Sequence, residues 1–279
     1  IQAFRAHGAE LDAVRGDADG LDTDALEAAL AGGARPKIVS VVSEFANPTG
    51  ATLSEPRRHH LVELARRYNF VVVDDNPYGE LRWSGKRPPS LAAVAARMGD
   101  PERVITLGSA SKILAPGLRI GWLTAAPPVL DAVVRMKQSA DLHTSTLDQL
   151  VVASVLADEA ALEAHLGRLR RCYRRRCEAL ADELEREFSG TIELDRPDGG
   201  MFVWVRCVDR TVDTMEWFEH GITAGVAFVP GAAFSVDGSW GWALRACFAT
   251  LEEAQLFEAV RRMTEGFRRI RRAKCAIHA

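Results

Sequence analysis

Short apolar runs alternate with longer stretches of helical apolar spacing through the first half of this chain. Lys37 to Val42 reads as a strand. The segment "SEPRRHHLVELARRYNF" has the spacing of a helix with Ser54 as its N-cap, and "VVVDD" (71–75) follows as a buried strand. Leu91 to Met98 reads as another helix, and "VITLGS" (104–109) and "RIGWLTA" (119–125) as two more strands. Such alternation predicts a mainly parallel α/β sheet with helices on both faces. In sheets of that kind chemistry gathers at the carboxyl ends of the strands, where Asn47, Asp75 and Lys112 fall.

The second half has a different rhythm. Pro127 to Ala140 and Leu147 to Leu156 read as helices, and a long periodic segment runs from Glu159 to Phe188. Beyond it come "MFVWVR", a helix from Val212 to Ala224, "VAFVP", "WALRACFA" and a last helix from Leu251 to Ile270. This pattern predicts a small α+β unit with an antiparallel sheet, and divides the chain near Val151 into residues 1–150 and 151–279. No internal repeat or low-complexity stretch interrupts it. The opening "IQAFRAHGAEL" reads as the middle of a helix leading to a strand, so the natural N-terminus is expected upstream of Ile1.

Composition changes this picture little. A chain of 279 residues with 47% hydrophobic content can bury a substantial core in one large domain or two. The net charge of -3 demands neither nucleic acid nor an anionic membrane surface. The arginine clusters "RLRRCYRRRC" from Arg168 and "RRIRRAKC" from Arg268 sit in helical spacing with many acids and no aromatic interleaving. They read as solvated helix faces rather than a nucleic-acid patch. Five cysteines, at 172, 177, 207, 247 and 275, form no metal or CxxC arrangement and fit a reduced, cytoplasmic protein. No apolar run approaches a membrane span, no signal-peptide pattern opens the chain, and no metal site is expected.

Three loops carry the candidate chemistry: "FANPTG" with Asn47, "VVVDDNPYGE" with Asp75 and Tyr78, and "SASKILAPGLRIG" with Lys112. Singly, each has an ordinary reading: a turn, a helix cap, a solvated lysine. Together they suit a cofactor with a carbonyl, an aromatic ring nitrogen and a phosphate. A lysine amine in a desolvated pocket loses basicity and attacks an aldehyde. A carboxylate facing a pyridine nitrogen favours the protonated ring, which accepts electrons from a carbanion. An amide and a phenol hydrogen-bond a ring oxygen, while serine hydroxyls and an arginine hold a phosphate. Pyridoxal phosphate has this set of needs.

The ordered motifs "NPTG", "DDNPYGEL", "SASKILAPGLRIGW", "PDGGMFVWV", "GVAFVPGAAF" and "LRACFA" strongly resemble the fold-type I pyridoxal-phosphate enzymes. Within them the resemblance is to the class I/II aminotransferases and their branch of 2-aminoadipate and aromatic aminotransferases, and it covers nearly the whole chain. It implies a mostly parallel large-domain sheet, incomplete at its N-terminal side, followed by a small α+β domain. Lys112 looks like the Schiff-base lysine that also shuttles a proton. Asp75, rather than Asp74, would face the ring nitrogen, because it stands three positions before Tyr78 as in the family's Asp-x-x-Tyr pattern. Asn47 and Tyr78 would bond the ring oxygen, and Ser109, Ser111 and Arg119 would hold the phosphate. Arg245 resembles the arginine that binds the substrate α-carboxylate by a bidentate fork; its other reading is a surface arginine on an edge strand. The glycines of "PDGG" also serve as plain turn residues.

The resemblance further implies a homodimer, amino acid and 2-oxo acid substrates, and an N-terminal segment absent here. That segment would carry a substrate-contacting arm, a glycine- or serine-rich phosphate turn and an aromatic residue stacked on the ring. Without it, weak cofactor binding and little activity are expected. Two alternatives stay open. One is another carbanion fate on the same machinery, as in a lyase or decarboxylase. The other is the effector domain of a GntR/MocR-type regulator, whose winged helix-turn-helix would lie upstream and contact DNA.

Overall fold

The computed structural model describes residues 1–277 and the side chains of residues 1–270, and the chain divides into two compact units. Cys275 therefore lies outside the described side chains. Helix α1 (Gln2–Ala6) belongs, with residues 1–13, 47–50 and those from Arg171 onward, to a C-terminal unit; residues 14–46 and 51–170 form an N-terminal unit. One of the boundaries between the units falls between Arg170 and Arg171, inside a long helix.

The N-terminal unit opens with the two-residue strands β1 (Gly16–Asp17) and β2 (Gly20–Leu21), then α2 (Thr23–Ala31), β3 (Ile38–Val41), α3 (Glu55–Tyr68) and β4 (Val71–Asp75). It continues with α4 (Leu91–Met98), β5 (Val104–Ser109), β6 (Gly121–Thr124), α5 (Pro127–Ala140), α6 (Thr146–Ala157) and the first part of α7 (Glu159–Glu187). Local chemistry sets the helix ends. Asp22 caps α2 by accepting from the backbone of Asp24 and Ala25, and Ser90 caps α4 through Ala93. Ser54 takes the N-cap position of α3 without a side-chain bond, and Asn69 ends that helix in the left-handed conformation at φ 56°.

The sheet order is β3-β4-β5-β6. β4 lies parallel to β3 and β5. β6 is antiparallel to β5, since the turn between them is too short for a crossover. Val39, Val72 and Val104 share one row across the strands, and α2, α3 and α4 cover that face with Leu26, Leu30, Leu61, Val62, Ala65, Leu91 and Val94. Arg58 belongs to this buried set: with Leu61, Val62 and Ala65 it follows the i, i+3, i+4, i+7 spacing of one helix face. Around the turn after β5, Ala110 and Ile120 pack with Val152 of α6. Helix α5 buries no side chain, and Val134 and Met136 on it, like Leu147 and Leu150 on α6, are exposed.

The C-terminal unit continues α7 and adds β7 (Ile192–Asp195), β8 (Phe202–Cys207), α8 (Thr214–Thr223), β9 (Val229–Pro230), β10 (Ala243–Cys247) and α9 (Glu253–Ile277). Its sheet, ordered β7-β8-β10-β9, is antiparallel as the short apolar runs suggest. Trp217 is fully buried among Phe188, Phe228 and Phe267, and its indole N–H donates to the Met263 carbonyl at 2.9 Å. Arginines of the "RLRRCYRRRC" stretch pair with acids here, Arg174 with Glu178 and Arg175 with Glu253.

Candidate active site

Period-two alternation separates the two aspartates at the end of β4. Asp74 shares a face with Val72, in a row with Val41 and Thr106, and is 1% exposed. Asp75 points to the opposite face, opposite Leu107, and keeps access to solvent. Desolvation alone raises the Asp75 carboxyl above its ordinary range; no cation contributes to that balance. A positively charged ring nitrogen beside it would reverse the shift. The turn after Asp75 is closed by Asn76, whose N–H donates to the Leu107 carbonyl at 3.0 Å and whose Oδ1 accepts from Gly79 N at 3.0 Å. Tyr78 sits in that turn, 6% exposed.

Asp74 has a different environment. Neither of its oxygens has a hydrogen-bond partner of good geometry among the described residues, and the Ser43 and Thr106 hydroxyls beside it also lack one. Burial raises its carboxyl, against the pull of nearby Ser43 and the Arg58 guanidinium. Arg58 itself donates to the carbonyls of Leu53 (2.8 Å), Pro89 (3.1 Å) and Ser43 (2.9 Å).

One strand over, β5 ends at Ser109 and the chain enters a tight turn. Ser111 N–H donates to Ser109 Oγ at 3.1 Å, which leaves the Ser109 hydroxyl proton for another acceptor. Leu114 N donates to the Ala110 carbonyl at 2.8 Å, and His165 of α7 donates through Nε2 to the Ile113 carbonyl at 2.9 Å. Lys112 is held, half-buried, in the middle of this turn. Arg119 closes the loop in the left-handed conformation at φ 55°, with Nη1 donating to the Pro116 carbonyl at 3.1 Å. That bond turns its fork to the loop backbone and not to either serine. Just before the turn, Trp122 lies over Gly108: a Cβ built there would meet the indole at 2.3 Å.

Asn47 and Arg245 belong to the C-terminal unit. Arg245 Nη1 donates to Asn47 Oδ1 at 2.7 Å across 198 positions of sequence, and this leaves the Asn47 amide protons for a separate acceptor. Gly50 of the same "NPTG" turn packs on Pro197 of the "PDGG" stretch. Arg245 stands on β10 opposite Trp204 of β8 and Val229 of β9, so it occupies an inner strand and not the edge of its sheet. Its guanidinium carbon lies 4.0 Å from the Phe202 ring centroid and 4.9 Å from that of Phe234. Both phenylalanines fall within the quoted motifs, but spacing alone does not bring them to Arg245.

An α/β unit with a lysine in the turn after one strand and a carboxylate at the end of its neighbour, joined to a small antiparallel unit, is the framework of fold-type I transferases. The family profile described as Aminotransferase class I and II matches residues 1–263. The chain is 37% identical over 269 residues to aromatic-amino-acid aminotransferase 1 of Thermococcus litoralis, covering 95% of this chain and 63% of that protein. It superposes on the crystal structure of LysN, the α-aminoadipate aminotransferase of Thermus thermophilus complexed with N-(5'-phosphopyridoxyl)-L-leucine, with a TM-score of 0.90 at 37% identity, covering 96% of this chain and 67% of that one. A more distant relative, the uncharacterized HTH-type transcriptional regulator YisV of Bacillus subtilis, is 29% identical over 90% of this chain and 51% of its own length. The chain belongs to the class I and II aminotransferase family. It spans less than two thirds of the length of the aminotransferase from Thermococcus litoralis.

Proposed function

We propose that this chain carries the cofactor and substrate-carboxylate residues of a pyridoxal-phosphate-dependent aminotransferase, which moves an amino group between an amino acid and a 2-oxo acid. The observation that carries the reading is the pairing of β4 with β5, which sets Asp75 at the end of one strand beside the turn that presents Lys112 on the next. When bound, pyridoxal phosphate supplies an electron sink for a carbanion at the substrate α-carbon. The Asp75 carboxylate would keep the ring nitrogen protonated. Asn47, through its remaining amide protons, and Tyr78 bond the ring oxygen; Ser109, Ser111 and Arg119 hold the phosphate. The Lys112 amine would hold the cofactor through its aldehyde and, when free, would carry a proton at Nζ. Arg245 takes the substrate carboxylate in its fork.

On this reading residues 1–150 supply part of a cofactor-binding large domain and 151–279 a small domain, and the working unit is a cytoplasmic homodimer. The names of the relatives favour aromatic amino acids and 2-aminoadipate as substrates. Among the described residues no helix is long and apolar enough to cross a membrane. The test is borohydride reduction of the 279-residue chain with pyridoxal phosphate, followed by peptide mapping. Label on Lys112, lost in Lys112→Ala, supports the assignment; label spread over surface lysines overturns it. Product analysis with an amino acid and a 2-oxo acid separates transamination from elimination or decarboxylation. The similarity to YisV favours a second reading as a regulator's effector domain. A helix-turn-helix encoded upstream of Ile1 would select it.

A further inference from the structure

We propose that Phe202 and Phe234 are positioning residues for Arg245: their rings hold its guanidinium as a receptor for a carboxylate. The proposal rests on the reading of Arg245 as the substrate-carboxylate arginine and adds what keeps that arginine in place.

Strand pairing brings the first ring. Phe202 stands two positions before Trp204, the residue opposite Arg245, so Phe202 and Arg245 lie on the same face of the sheet. The second ring comes from the loop between β9 and β10, where Phe234 ends a 3-10 turn spanning Gly231–Phe234. Both rings lie inside the distance of about 6 Å at which an aromatic face attracts a cation. A guanidinium stacked on a ring uses its face. Its N–H groups lie in the plane, and that edge is where Asn47 is bonded and where a planar carboxylate fork docks.

The Phe234 ring is braced from two directions. Its edge meets Trp204 at 6.1 Å and 81°, and Trp204 in turn meets Trp240 at 5.4 Å. The chain just beyond it is tied down by Ser235 Oγ donating to Asp237 Oδ1 at 2.6 Å, by Ser239 N donating to Ser235 Oγ at 2.8 Å, and by Arg5 Nη2 donating to the Val236 carbonyl at 3.0 Å. Phe234 is only half-buried, so its loss leaves the core around Trp217 intact. A ring braced this way against a cation restricts where the fork points.

The experiment compares two probes in the full 279-residue chain, 3-phenylpropanoate and its uncharged amide, by calorimetry on the parent protein and on Phe234→Leu, Phe202→Leu, Phe234→Trp and Arg245→Gln. Leucine keeps apolar volume but removes the quadrupole. The proposal expects Phe234→Leu to weaken the carboxylate by about fivefold, in the range of a single cation–π contact, with the amide unchanged. Phe202→Leu should act in the same direction, and Phe234→Trp should restore the carboxylate affinity. Equal weakening of both probes, or no weakening of either, overturns the positioning role. If the parent protein and Arg245→Gln bind carboxylate and amide alike, the reading of Arg245 itself falls and takes the proposal with it. That outcome is visible before any phenylalanine is changed.

Discussion

Arg58 gives the most demanding stability prediction. It is 0% exposed on α3, and its three donors bond the carbonyls of Ser43, Leu53 and Pro89, which lie after β3, before α3 and before α4. Burial lowers its guanidinium below the ordinary arginine value, against the pull of the nearby Glu44 and Asp74 carboxylates, each 1% exposed. Arg58→Met keeps the apolar stem but takes the side-chain donor from the Leu53 and Pro89 carbonyls, leaves the Ser43 carbonyl with the Leu53 N–H alone, and removes a cation near Asp74. Each buried acceptor left without a donor costs about 1–3 kcal/mol. These losses overlap, so the expected destabilisation is about 4 kcal/mol, a large part of the roughly 5–15 kcal/mol that holds an ordinary domain folded. With a urea dependence of about 3 kcal/mol per molar, the midpoint should fall by more than about 1 M. Two compact units need not unfold together, so hydrogen exchange of α3 peptides in rising urea is the proper reading. Arg58→Lys, which keeps the charge but not the planar fork, should recover about half the loss. A loss under about 1 kcal/mol in Arg58→Met would refute the reasoning and mean that water replaces the guanidinium.

Further outcomes follow from the same geometry. Burial raises the Asp74 carboxyl above its ordinary value of 3.8, so the folded state holds the proton more tightly than the unfolded one. Its contribution to stability is complete below that value and is lost as pH rises through the raised one. Asp74→Asn should therefore be more stable than the parent at pH 8, and the gap should close in acid, as thermal midpoints across pH will show. Trp217→Phe loses both indole volume and the bond to the Met263 carbonyl, and should cost about 2 kcal/mol, read as weaker exchange protection of α8 and α9 amides. Asp75→Asn should leave the fold intact, because Asp75 keeps access to solvent, yet weaken pyridoxal phosphate binding by about tenfold in an absorbance titration.

The chain's local patterns made its strands, helices and three strand-end loops readable, because apolar periodicity and turn chemistry are local properties. Lys112 and Asp75 follow from that level: each ends or follows an apolar run. The choice of Asp75 over Asp74 rests on resemblance, and the strand register shows that the two lie on opposite faces, one residue per face. The antiparallel placement of β6 and the contact of Asn47 with Arg245 depend on long-range pairing that no window of sequence contains. Arg58 is an instructive miss. Its spacing with Leu61, Val62 and Ala65 marked the buried face, but in a run reading "PRRHH" it looks like one more solvated charge.

The stacking of Trp122 on Gly108 bears on how this chain can change over time. The indole is 45% exposed, so its outer side is open to replacement, while its inner side occupies the space that a Cβ at position 108 would need. Substitutions at the two positions are therefore ordered. A lineage that first shrinks the tryptophan can afterwards accept alanine at 108, whereas one that gains the alanine first must push the edge strand away from the turn that carries Ser109 and Lys112. The pair works as a ratchet, and related chains should be found on one side of it or the other, seldom in between.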